Sequence, residues 1–260
     1  MTLALCVVAQ VGVPDEAGQK AIVARMREAA LGYSDRLQDF ICTQMTTRST
    51  DGSGTGHWKL LETQELELSY VSHKENYRLL KVNGKSTNPQ KRVKQGYFNP
   101  GGEFGTAFRW IFDPKVKAEF VWDHAEGVGT KRVCVFRYSV AASASTMIMH
   151  ADLDRVPMGH RGFVHANCDT GMVLRIHIET DPAFVQRRGK PVAVGTKLDV
   201  GYGLTTIASK EFLLPQEAEE VAIFDKTLTK AKIEFQQYRK YESNSTIHFE
   251  ETPGKPPEKQ

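Results

Sequence analysis

The residue types that could do metal or hydrolytic chemistry gather in one place, His150-Ala-Asp152-Leu-Asp154, with His160 and His165 close behind. Alternate residues of a β-strand point to one side, so His150, Asp152 and Asp154 would present three donors together. The two later histidines could then complete a coordination shell. Against this, the hairpin pairing derived below sets His165 opposite Arg175, and a cation is a poor neighbour for a metal ion. Ordinary surface carboxylates and histidines account for the pattern more simply. The sequence therefore assigns no metal, no cofactor and no catalytic residue, and a metal-dependent hydrolase using His150 and Asp152 is the lesser alternative.

Other signatures fail for stated reasons. There is no G-x-S-x-G, no H-E-x-x-H and no G-x-G-x-x-G. Asn83-Gly84-Lys85-Ser86 ends like a phosphate-binding loop, but Leu79 stands where its first glycine is required, and the stretch sits in a hairpin. Lys85, Lys91, Arg92 and Lys94, with Tyr97 and Phe98 beyond, carry the charge and rings of a single-strand nucleic-acid binder. A formal net charge of +3 makes a solvated loop the better account, and no nucleic-acid partner is expected. Of the four cysteines, Cys42, Cys134 and Cys168 sit in strand-like patterns as small buried thiols. They permit at most one internal disulfide, and no spacing points to zinc.

The elements that must position any site are mostly strands, and the clearest spans Gly159 to Asp181. Asp169-Thr170-Gly171 reads as a three-residue hairpin loop, with Gly171 in the left-handed position. Cys168 then faces Met172. One wall carries Ala166, Val164 and Gly162 against Leu174, Ile176 and Ile178; the other carries His165/Arg175, Phe163/His177 and Arg161/Glu179. A one-residue slip would scramble both walls, which specifies the register.

Ahead of it, residues 16–37 repeat Ile22, Val23, Met26, Ala30, Tyr33 and Leu37 at helical spacing, so an amphipathic helix must lie on something apolar. Strands follow at 40–50, 58–72 and 76–82, the last entering the Asn83-Gly84 hairpin signal. The stretch 96–114 breaks the rhythm: Phe104, Phe108, Ile111 and Phe112 make one side of a short helix between glycines. It is either a lid over a cavity or a plug for the open end of a sheet. Strand patterns resume at 118–122, 130–141, 146–151, 191–202, 211–215, 218–224, 231–241 and 245–250. The sum is a mainly β (α+β) chain: an unclosed antiparallel β-barrel of about ten to twelve strands with one long helix and one short aromatic helix.

Size and composition agree with one domain over 14–251 and a disordered tail at 252–260. Residues 1–13 form an apolar run too short to span a bilayer and without a basic residue before it. Val7-Val8-Ala9 would serve as a cleavage site, so the run reads as a signal peptide whose start lies upstream; a loose apolar terminus or first strand is the alternative.

The order of parts resembles the periplasmic lipoprotein-carrier family, the Lol-type outer-membrane lipoprotein sorting proteins and their sensor relatives. The likeness runs through an N-terminal helix, a strand meander and the hairpin Asp169-Thr170-Gly171-Met172-Val173-Leu174-Arg175. Phe40 to Gln44 and Phe212 to Pro215 are similar to stretches of secreted bacterial proteins. The resemblance implies an unclosed barrel around helices, periplasmic or secreted, that binds a lipid, a lipoprotein acyl chain or another apolar segment without catalysis. An envelope protein partner and no transmembrane span are also implied. The expected cavity lining is Leu66, Leu68, Tyr70, Phe136, Val164, Leu174, Ile176, Leu198 and Val200, with Phe104 and Phe108 as lid. A protein-interaction or sensor module is the alternative.

Overall fold

The computed structural model describes residues 13–87, 103–128, 131–151 and 154–242. The first helix, α1 (Glu16–Leu31), starts where the Asp15 carboxylate accepts the Gly18 N–H at 2.8 Å. Its buried residues, Ile22, Met26 and Ala30, recur every four positions and form one stripe. The single helix read over 16–37 is instead two: the chain turns at Gly32 into α2 (Tyr33–Arg36), which buries Tyr33. A third helix, α3 (Thr106–Phe112), buries Ala107, Phe108, Ile111 and Phe112.

The strands are β1 (Phe40–Asp51), β2 (Lys59–Val71), β3 (Lys74–Val82), β4 (Lys85–Ser86), β5 (Glu119–Val128), β6 (Lys131–Val140), β7 (Ile148–Ala151), β8 (Asp154–Pro157), β9 (His160–Asn167), β10 (Val173–Thr180), β11 (Ala183–Arg187), β12 (Lys190–Ile207), β13 (Lys210–Phe224) and β14 (Thr227–Lys240). One antiparallel sheet runs β4-β3-β2-β1-β14-β13-β12-β10-β9-β6-β5, with β11 folded onto the start of β12. Its two ends do not pair with each other, so the barrel is open, as expected. β7 and β8 form a separate two-stranded ribbon.

The expected hairpin register holds from Arg161↔Glu179 to His165↔Arg175. Nearer the loop it does not. The N–H of Asn167 donates to Met172 and that of Gly171 to Asn167, so the loop has four residues, 168–171. A register shift between Val173 and Arg175 then sets Val173, and not Leu174, opposite Ala166. Asn83-Gly84 turns as read, with Val82 opposite Lys85. The strands expected at 211–215 and 218–224 are one. Proline can sit at a bulge because no ladder N–H is needed there, and β13 passes Pro215 with Tyr202 facing it while Gly201 faces Glu217.

The signal-peptide reading at 1–13, apart from its last residue, the basic loop beyond residue 87, the strand at 245–250 and the tail lie outside the described residues. Among the described residues no helix is long and apolar enough to cross a membrane.

Candidate apolar groove

Alternation along β12 sends Leu198, Val200, Tyr202 and Leu204 to the inner face of the sheet. The first three are buried in the core. Tyr202 is closed over by Phe108, its ring stacked at 4.9 Å, and by Tyr33, edge-on at 6.1 Å. Leu204 lies one step beyond this cover and is 48% exposed.

There a groove of about 700 Å³ opens between the helices and the β12–β13 hairpin. Ala29, Ala30, Tyr33 and Leu37 form one bank and Leu204, Phe212 and Leu213 the other. Phe108 lies in its wall, and Thr170, Met172 and Val173 belong to the β9–β10 hairpin at its edge. Arg25, Glu28, Arg36 and Glu211 add two charges of each sign. Arg25 donates to the Cys168 carbonyl at 2.9 Å, and Arg36 donates to that of Ala29. The groove is thus mainly apolar with a balanced ionic margin.

Of the expected lining, Leu66, Leu68, Tyr70, Phe104, Phe108, Phe136, Val164, Ile176, Leu198 and Val200 are all buried. Only Phe108 reaches the groove. Leu174 is half-buried, displaced from the apolar wall by the shift beside it. Phe104 packs on Phe40 at 5.3 Å and Phe235 at 5.4 Å, so α3 and its approach plug the inner face. The groove residues Leu204, Phe212 and Leu213 were missed as site residues. Leu204 had a signal, since it continues the alternation two positions past Tyr202.

The histidine cluster is dispersed. His160 is on the inner face, 1% exposed and not at the surface as read, with its ring edge-on to Tyr138 at 5.7 Å. Burial holds its imidazole down at about 4. His165 is on the outer face, 3.6 Å from Glu126 and opposite Arg175, which pairs with Asp199 at 2.7 Å. Two histidines on opposite faces cannot share one ion. Asp152 lies outside the described residues.

The interior also holds carboxyls. Glu103 is buried, and desolvation pushes it up to about 7. Tyr77 donates to Glu75 at 2.5 Å, and burial raises that carboxyl too. Cys42 is buried with its thiol pushed up to about 12, which keeps it protonated and unreactive. Cys134 and Cys168, left open in the sequence reading, form a disulfide that ties the hairpin loop to β6.

No family model matches the sequence, and neither does any curated protein. Solved structures do match in outline. A LolA superfamily protein from Nitrosomonas europaea is 9% identical, with 89% of this chain and 97% of that one covered and a TM-score of 0.33. A DUF1329 family protein from Desulfovibrio piger is 9% identical over 91% and 96%, with a TM-score of 0.37. An outer membrane lipoprotein-sorting protein domain from Vibrio parahaemolyticus is 11% identical over 89% and 95%, also at 0.37. The chain is thus similar in outline to lipoprotein-sorting and LolA-type structures, at low identity.

Proposed function

We propose that this protein is a non-catalytic envelope binding protein that holds a lipid, a lipoprotein acyl chain or another apolar ligand. The observation that carries the reading is the groove of about 700 Å³ at the point where the apolar inner wall runs out from under the helices. Its volume falls in the range of roughly 300–1,000 Å³ usual for small-molecule sites. The Cys134–Cys168 bond supports a periplasmic or secreted location, since disulfides persist in oxidising compartments. In this reading residues 14–251 act as one domain behind a cleaved leader.

Two measurements test it. Denaturing extraction of the purified protein, followed by mass spectrometry, reads any co-purifying lipid. Titration with a fluorescent fatty acid compares the wild type with Leu204→Glu. The variant should bind at least about tenfold more weakly at an unchanged melting temperature, because substitution at an exposed site costs within about 0.5 kcal/mol. No lipid and no probe binding in the wild type, or equal binding in the variant, would sink the reading.

A protein-interaction or sensor module is favoured by one feature. Strand β5 ends the sheet, and no described strand pairs with its outer edge. A partner chain could add a strand there.

A further inference from the structure

A second cavity, of about 160 Å³, lies between the β7–β8 ribbon and strands β12 and β13. Met147, Met149 and Met158 all line it, together with Trp110 of α3 and Glu220 of β13. These are three of the chain's seven methionines, brought together within 12 positions.

The ribbon geometry explains how they converge. Ile148 pairs with Pro157 and Met149 with Val156. The N–H of Met158 donates to the Met147 carbonyl at 2.8 Å, which extends the ladder by one rung. Met147 and Met158 are therefore directly opposed, and opposed residues carry their side chains on the same face with Cβ atoms about 4.5–5.5 Å apart. Met149 is two residues beyond Met147 on that face, a rise of roughly 6.6 Å at about 3.3 Å per residue. Three thioether side chains thus line one cavity from the same ribbon face, each with three rotatable bonds. Met147 and Met158 are buried and Met149 is half-buried, so the set has a closed base and one accessible corner.

Methionine is ordinarily a gap filler, but a filler should close the gap, and here the three side chains surround open space. What that space suits follows from the donors. Thioether sulfur is soft and uncharged, and among divalent and monovalent first-row ions it selects Cu(I). Zinc prefers thiolate, imidazole or carboxylate, and magnesium and calcium take oxygen. Trp110 lies in the same lining, and an indole ring is the aromatic side chain that attracts cations best. Glu220 is the one acidic side chain among the described lining, and burial raises its carboxyl well above the usual range; in such weakly charged surroundings a divalent ion would keep more uncompensated charge than a monovalent one. We propose that the thioethers of Met147, Met149 and Met158 form a Cu(I)-binding site beside the Trp110 ring. The inference is independent of the groove, which shares no lining residue with this cavity.

The test is an anaerobic titration of the full chain with Cu(I) held by a chromophoric chelator, repeated with Ag(I) as a redox-inert probe. Native mass spectrometry reads the stoichiometry and tryptophan emission reads the site. One equivalent per chain should be withdrawn from the chelator. Affinity should fall by about tenfold or more in Met149→Leu. Uptake should be lost in the triple variant Met147→Leu/Met149→Leu/Met158→Leu, while Trp110→Phe should keep the equivalent and lose the emission change. Leucine conserves volume, and melting curves check the fold. If the triple variant does not fold, Met149→Leu at the half-buried corner still decides. No stoichiometric uptake by the wild type overturns the proposal. So does a folded triple variant, or a Met149→Leu variant, that holds Cu(I) as tightly as the wild type, since uptake then belongs to histidines or Cys42.

Discussion

Gly171 rests against the backbone that joins Arg25 to Met26. A Cβ built on Gly171 would stand 2.4 Å from the carbonyl carbon of Arg25 and 2.6 Å from the nitrogen of Met26. The β9–β10 loop therefore seats α1 with no side chain between them. The φ of +72° at Gly171 is one that other residues rarely adopt.

Replacing Gly171 by alanine should force the helix off its seat. Left-handed strain of about 1 kcal/mol and overpacking of about 1–3 kcal/mol add to a predicted destabilisation of roughly 2–4 kcal/mol. Urea unfolding measures it. Because α1 is one bank of the groove, fatty-acid binding should weaken in the same variant. A loss below about 0.5 kcal/mol, the range of a neutral surface change, would show that the contact does not hold the helix.

The disulfide gives a second expectation. Cys134 and Cys168 are 34 residues apart, and in the chain-entropy account closing such a loop stabilises by about 4 kcal/mol. Cys134→Ser, or reduction of the wild type, should lower the denaturant midpoint accordingly. Among the described cysteines, mass spectrometry without reductant should find Cys42 open to alkylation after unfolding, and neither Cys134 nor Cys168. Alkylation of all three described cysteines would refute the pairing.

The pH dependence of stability should show two opposed slopes. His160 titrates near 4 when folded and near 6.5 when unfolded, so between those values the unfolded chain binds more protons and stability rises with pH. The contribution is complete above about 6.5 and is lost as pH falls through about 4. Glu103 is the reverse: raised to about 7 from 4.5, its contribution is present below about 4.5 and is lost as pH rises through 7. The two partly cancel in the wild type. Glu103→Gln should therefore steepen the rise in stability between pH 4.5 and 6.5, and His160→Phe should turn it into a fall. Melting temperatures of the three proteins across that window decide; parallel profiles would count against both assignments.

Much of the local structure was legible because its causes are local. Side chains of a strand alternate whatever the strand pairs with, so Val164, Ile176, Leu198 and Val200 had to share a wall. Asn83-Gly84 turns because both positions tolerate positive φ, here +49° and +73°. Asp15 starts α1 because its carboxylate reaches the Gly18 N–H.

Where a ladder adjusts by one residue, the code is weaker. The shift that moves Leu174 off the wall and the bulge at Pro215 each arise from pairing with a strand whose position the local pattern does not state. The pairing of β1 with β14 joins strands from near the two ends of the chain in the middle of the sheet, and no periodicity contains it. The sequence by itself determined which residues are apolar together, where turns fall and which register one hairpin takes, since sterics and alternation act over a few residues. Only the tertiary structure decided that helices cover most of the apolar wall and leave Leu204 open, that Gly171 seats α1, and that three methionines of one ribbon face one cavity, because each depends on elements that meet only after the sheet has closed its long-range pairs.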